Sequence, residues 1–278
     1  VFTEKTRLLT STKNDKVKYI RALQARSRDR REAQAFVVEG VRLVEEAWKA
    51  HWKAQLIFYT EDLPQRGREI VEAYRQANVE VVPVSPEVIR AASDTQTPQG
   101  ILAVLPMGQI SPPTDLSFVL ILDTLRDPGN MGTLLRTALA ARVDAVFLPP
   151  GNVDPYSPKV LRAGMGTHFS LPIREGSWED IRSAISPLQV FLSDTAGRHV
   201  YTQTDLTIPL ALIVGGEAEG AGTEARSLAS HTLSIPMPGG VESLNASAAG
   251  AILMFEVVRQ RQEAGGRRRA AGGRRQAA

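Results

Sequence analysis

Phe118-Val-Leu-Ile-Leu-Asp123-Thr-Leu-Arg-Asp127-Pro-Gly-Asn130-Met-Gly132-Thr-Leu-Leu-Arg136-Thr-Ala138 decides how this chain folds. Its first residues are an unbroken apolar run closed by one acid, the pattern of a strand buried on both faces inside a parallel sheet. Asp127-Pro-Gly is a turn, and apolar residues at helical spacing follow over 131–142. The same rhythm continues downstream, with strands expected at 145–148, 169–173, 188–192, 210–214 and 232–235. Helices are expected at 158–164, 178–185, 223–229 and from Asn245 to about Arg261. Six strands, most with a helix between them, predict a mostly parallel, doubly wound α/β sheet.

Upstream, residues 106–114 hold three prolines and a glycine and read as a linker, extended to 106–116. Before it, short apolar runs at 36–38, 55–59, 79–84 and 101–105 alternate with helical stretches at 41–50, 66–77 and from Pro86, which predicts a smaller α/β unit over 1–105. A basic amphipathic helix capped by Ser11 or Thr12 is expected to run to about Arg31, with Val17, Ile20 and Leu23 on one face. The C-terminal domain is expected over 117–263. The tail 264–278, which has no apolar side chain larger than alanine, is expected to be disordered.

A length of 278 residues suits about two domains. The net charge of +3 conceals an uneven arrangement: residues 1–35 carry ten Lys/Arg against four acids and 259–278 carry seven Arg against Glu263, around an acidic middle. Such ends suit a nucleic-acid partner, and Arg26, Arg28, Arg30 and Arg31 are candidate RNA contacts; solubilising termini are the alternative. There is no cysteine, which excludes disulfides and thiolate chemistry, and the four histidines lack metal-ligand spacing, so no metal is expected. No apolar run is long enough for a membrane span and no secretory signal is seen, so a cytoplasmic location is expected.

Loops after parallel strands are where α/β sheets bind ligands. Three such segments stand out. In the first, Asn130 can cap a helix and Gly132 leaves space before Arg136 one turn on; a solvated Arg with a capping Asn explains the same residues. In the second, Val-Gly215-Gly-Glu217-Ala-Glu-Gly220 lets a ligand approach the backbone. Gly220-Ala-Gly222-Thr-Glu-Ala225 also fits a dinucleotide pattern, but six residues too far past the strand. In the third, Ile235-Pro-Met-Pro-Gly-Gly240-Val-Glu-Ser243-Leu244-Asn245 feeds a helix whose first turns are almost all small residues. An N-cap Asn on a packed Ala-rich helix explains Asn245 there and leaves Ser243 unexplained.

Together these segments resemble the three ordered motifs of the SpoU (TrmH) family of RNA ribose 2′-O-methyltransferases, over about residues 117–262. Ala218, where many members have Gly, and the glycine-rich 238–240 depart from the pattern. Phe36-Val-Val-Glu-Gly40, Arg42-Leu-Val-Glu-Glu and Thr97-Pro-Gln-Gly100-Ile are similar to the ribosomal-protein-like RNA-binding domain that many rRNA-acting members carry.

The resemblance implies a SPOUT-type domain with a trefoil knot, S-adenosylmethionine as cofactor, and homodimerisation through the knotted domain that sets the Arg of one subunit beside the cofactor of the other. It places Arg136 nearest the ribose hydroxyl with Asn130 positioning it. Ser243, Asn245 and Glu217 complete the catalytic set, Gly215, Ile235 and Leu244 hold the cofactor through their backbones, and Lys159 and Arg162 contact RNA. The implied substrate is 23S ribosomal RNA. The alternatives are another rRNA or a tRNA, or a non-catalytic RNA-binding protein. A bias of 26 Arg to 7 Lys fits a high-GC genome, in which both housekeeping enzymes and resistance enzymes of the avilamycin or thiostrepton type occur.

Overall fold

The computed structural model describes residues 8–108, 110–216 and 220–275, with side chains as far as 265. The chain divides into two compact units, Val1–Gln109 with Asp154–Ser170, and Ile110–Val153 with Leu171–Ala278.

In the first unit, α1 (Asp15–Ala25) and α2 (Ser27–Ala33) precede β1 (Ala35–Glu39), α3 (Val41–Lys49), β2 (Leu56–Tyr59), α4 (Gln65–Gln76), β3 (Glu80–Pro83), α5 (Pro86–Ala92) and β4 (Ile101–Pro106). The sheet order is β1-β4-β2-β3, with β4 antiparallel to both neighbours and β2 parallel to β3. Val17, Ile20 and Leu23 of α1 pack with Val37, Phe58, Leu102 and Val104 of the sheet.

The long basic helix expected from Ser11 or Thr12 is instead two helices. Asn14 caps the first, and Arg26 is extended between them at φ −130° and ψ 127°. The break turns Arg30 inward. Its guanidinium reaches the carbonyls of Leu23 and Gln24 at the end of α1, satisfying acceptors that a helix terminus leaves open. Its Nε and Nη2 donate to Asp154 Oδ2 at 2.8 and 2.6 Å. Asp154 begins a segment that the sequence reading gave to the second half but that packs here: Tyr156 lies on Phe36, and Trp52 meets Phe169 edge-on.

The second unit runs β5 (Phe118–Asp123), α6 (Pro128–Ala140), β6 (Ala145–Leu148), β7 (Ile173–Glu175), α8 (Trp178–Ala184), β8 (Gln189–Ser193), β9 (His199–Val200), β10 (Leu210–Gly215), α9 (Thr223–Leu228), β11 (His231–Ser234) and α10 (Ala246–Arg275). The helix Pro158–Gly164, α7, belongs to the first unit. Among the described residues the sheet has seven strands in the order β7-β6-β5-β10-β8-β11-β9, every pair parallel. It is one strand larger than expected, because the two-residue edge strand β9 is too short to carry a periodicity.

The strand expected at 169–173 begins only at Ile173. Phe169 closes a 3-10 turn at Thr167–Phe169, where its ring is buried against the first unit. The last helix continues to Arg275, where disorder was expected from Ala264 onward. Its three alanines and five arginines over 264–275 are good helix formers, and its four glycines are poor ones. Residues 276–278 lie outside the described residues. Near its start α10 packs on α6 at Gly250, where a Cβ would come within 2.4 Å of Leu134 Cδ2, so a larger residue would have to push the Leu134 side chain aside.

Candidate active site

The sheet order brings the C-terminal ends of β8, β10 and β11 side by side, and a cavity of about 400 Å³ opens there. Its walls are the end of β10 at Val214 and Gly215, Ser193–Thr195 after β8, Ile235 and Met237 after β11, Glu242–Leu244, and Ala246 and Ala249 of α10. That volume is in the range of small-molecule pockets, and its walls combine small and apolar residues with the polar Asp194, Thr195, Glu242 and Ser243. Of the expected residues, Gly215, Ile235, Leu244 and Ser243 line it; Ser243 has no hydrogen-bond partner among the described residues.

Glycine builds the cavity floor. A Cβ on Gly215 would lie 2.5 Å from Ala221 N, and one on Gly216 would lie 2.5 Å from Thr124 O, both backbone atoms. The chain folds back through a Gly216–Gly220 bridge, with Gly220 at φ +66°. Asp123, buried at the end of β5 and paired in register with Gly215, accepts from Gly222 N at 2.7 Å. Burial raises its carboxyl above the ordinary range, and the Gly222 bond opposes the rise.

The first and third motifs meet through Asn130 and Asn245. Asp127, not Asn130, caps α6, accepting from Asn130 N at 2.8 Å. The Asn130 side chain is thereby released, and its Oδ1 accepts from Asn245 Nδ2 at 3.1 Å. Asn245 Oδ1 in turn caps α10, accepting from Ser247 N and Ala248 N at 2.9 and 3.3 Å. One side chain therefore starts the last helix and ties it to α6, immediately beside the cavity-lining Leu244.

Arg136 is not brought to the cavity of its own chain. It is exposed on α6, without an ion-pair or hydrogen-bond partner among the described residues, and it bonds neither Asn130 nor Asn245. Glu217 and Ala218 lie outside the described residues. Of the candidate RNA contacts, Arg26, Arg28 and Arg31 are exposed; Arg26 stands 3.9 Å from Asp29 and Arg28 pairs with Glu32 at 2.6 Å. Arg30 is a correction: its side chain is 4% exposed and committed to Asp154 and the end of α1, so it is not at the surface. Lys159 is exposed on α7, and Arg162 pairs with Asp94 at 2.8 Å within the first unit.

Among the cavity residues that escaped the sequence reading are Asp194 and Arg226, which pair at 2.6 Å. The signal for Asp194 was available, since it follows a strand end as the chosen loops do. Arg226, inside a short amphipathic helix, gave none. Among the described residues no group of acids and histidines could hold a metal ion, and no helix is long and apolar enough to cross a membrane.

Comparison with known proteins agrees with this geometry. Residues 117–255 match the SpoU rRNA Methylase family and residues 14–103 an MRM3-like substrate binding domain. The 23S rRNA (guanosine(2553)-2′-O)-methyltransferase RlmP of Bacillus subtilis is 32% identical, over 90% of this chain and 98% of that protein. An rRNA methyltransferase from Sinorhizobium meliloti superposes with a TM-score of 0.81 at 31% identity, covering 91% of this chain and 97% of that one. The SpoU methyltransferase AviRb from Streptomyces viridochromogenes, solved in complex with AdoMet, also gives 0.81 at 28% identity, covering 90% and 98%. With both halves matched and the cavity, glycine loop and Asn pair in place, this chain belongs to the SpoU rRNA methylase family, whose enzymes use S-adenosylmethionine.

Proposed function

We propose that this chain methylates a ribose 2′-hydroxyl of 23S ribosomal RNA. The observation that carries the reading is the Asn130–Asn245 hydrogen bond, which joins two motifs 115 residues apart at the edge of the cavity. The cavity fits the cofactor: Gly215, Ile235 and Leu244 would hold adenosine between small walls and backbone edges. S-adenosylmethionine supplies a methyl group on a positively charged sulfur. Asn130 has the positioning role, held by Asn245, and Ser243, Asn245 and Glu217 complete the catalytic set. A guanidinium keeps its proton, so Arg136 acts electrostatically, gripping a phosphate and stabilising the alkoxide as it forms.

Arg136 stands clear of the cavity of its own chain, which supports a homodimer in which it serves the partner's site. Leu139 of α6 and Ile252 and Phe255 of α10 are exposed on the two helices that pack together, an apolar surface suited to burial between two copies. The domain boundaries follow this reading, with the first unit docking RNA through Arg26, Arg28, Arg31, Lys159 and Arg162, and a cytoplasmic site of action. The trefoil knot belongs to the same reading. A resistance role would be the same chemistry on a nucleotide that an antibiotic contacts.

Transfer of labelled methyl groups to deproteinised 23S RNA, followed by mapping of alkali-resistant linkages, tests the proposal. A protected ribose in 23S RNA is expected. Protection only in 16S or transfer RNA moves the substrate, and protection in none refutes the activity. An Arg136→Ala variant should keep cofactor binding and lose transfer; normal turnover removes the role given to Arg136.

A further inference from the structure

The floor and one wall of the cavity are apolar or backbone, but its rim carries a fixed ion pair. Arg226, from α9, donates from Nε to Ala221 O at 3.1 Å and from Nη1 to Asp194 Oδ2 at 2.6 Å. Its Nη2 has no partner among the described residues and lies 3.7 Å from where a Cβ on Gly220 would stand. Asp194 is anchored at both ends of its backbone, with its N–H on Leu233 O at 2.9 Å and its carbonyl accepting from Gly197 N at 3.0 Å. Its Oδ1 accepts from Ala196 N at 2.9 Å, and these bonds together with Arg226 keep the carboxyl ionised, below its ordinary range, against the effect of burial. Glu242, the other described acid in the cavity, sits on an exposed loop and has no partner among the described residues, so it is not held ready in the same way.

We propose that the Arg226–Asp194 pair reads the amino-acid end of the cofactor, Arg226 taking the carboxylate through Nη2 and Asp194 taking the ammonium through its remaining lone pairs. A zwitterion is the ligand chemistry that a fixed ion pair complements, since each charge meets its opposite and neither protein charge loses its partner. The pairing also explains why the contact is shared between two loops. Arg226 links the glycine loop after β10 to the turn after β8, so the group that grips the polar end also sets the spacing of the walls that hold the ring. This inference rests on the cavity being the cofactor site.

Calorimetric titration of the full chain with two ligands tests it without relying on turnover. S-adenosylhomocysteine carries the amino-acid end, and 5′-methylthioadenosine keeps adenosine and sulfur but lacks it. The wild type should bind the first at least about tenfold more tightly, the scale of one or two charge-assisted hydrogen bonds. Arg226→Gln and Asp194→Asn should each weaken S-adenosylhomocysteine about tenfold and leave methylthioadenosine within about twofold. Equal affinity of the wild type for both ligands overturns the inference without any variant. Equal weakening of both ligands by Arg226→Gln also overturns it, because the pair would then only hold the loops. A wild type that binds neither ligand removes the cofactor reading itself, and this assignment with it.

Discussion

Replacing Gly215 with alanine adds one methyl group where β10 gives way to the glycine loop. That carbon would lie 2.5 Å from Ala221 N and 2.6 Å from Gly220 C, whereas ordinary contacts begin at 3.4 Å. The two backbones must therefore part by about 0.9 Å. β10 is held on both sides by β5 and β8, so the loop is what moves. Gly222 N stands 2.7 Å from Asp123 Oδ2, and a displacement of this size carried along the loop takes it past hydrogen-bonding distance. A buried carboxylate then loses its donor, at a cost of about 1.5–3 kcal/mol. Binding that requires the loop in place should weaken by about 10- to 100-fold. Titration with S-adenosylhomocysteine, alongside thermal unfolding followed by circular dichroism, reads both effects. An alanine variant with wild-type affinity and melting temperature refutes the idea that the loop is fixed by this contact. Asp123→Asn, which keeps an acceptor for Gly222, should be much milder.

Arg30→Ala leaves Asp154 buried without its cation and should cost about 3–5 kcal/mol in urea unfolding, with Asp154→Ala recovering part of the loss; a change under 1 kcal/mol contradicts the buried pairing. His168 is buried, and burial lowers its pKa to about 4. The unfolded chain therefore takes up a proton first as pH falls, so stability should drop between about pH 6.5 and 4 by about 3 kcal/mol, and His168→Gln should flatten that slope. Phe255→Glu places a charge on the exposed apolar face of α10; the proposed homodimer predicts dimers of the wild type and monomers of this variant in sedimentation, and a variant that sediments as the wild type does moves the interface elsewhere. Asn245→Ala should lower stability by about 1 kcal/mol more than Asn130→Ala, because it alone removes the α10 cap.

What could be read in advance was local. Phe118–Asp123 and the helix after it carry their signals within twenty residues, and the parallel sheet followed from them. The helix break at Arg26 was illegible because Asp154, the partner Arg30 meets once the helix is broken, lies more than 120 residues away. Asn130 was read as a cap because Asn is a good one. Asp127, earlier in the turn, takes that role and leaves Asn130 for Asn245. The end of β8 obeys the strand-end rule as well as the other two loops do, but Ser193-Asp194 carries no glycine to mark it. The expected strand at 169–173 failed because Phe169 and Leu171 are buried for tertiary reasons, which periodicity reads as a strand.

The sharing of Asp154–Ser170 with the N-terminal unit sets an order of events on the ribosome. Phe36 waits for Tyr156, Trp52 for Phe169 and Arg30 for Asp154. All of the strands of that unit have been made by Pro106, and the core around Val17, Phe58 and Val104 needs nothing later, yet the face that holds Phe36 and Trp52 cannot close until about 60 further residues emerge, roughly 3–12 s at typical elongation rates. During that interval β5, α6 and β6 are already outside the tunnel, so the two halves of this protein mature together instead of one after the other.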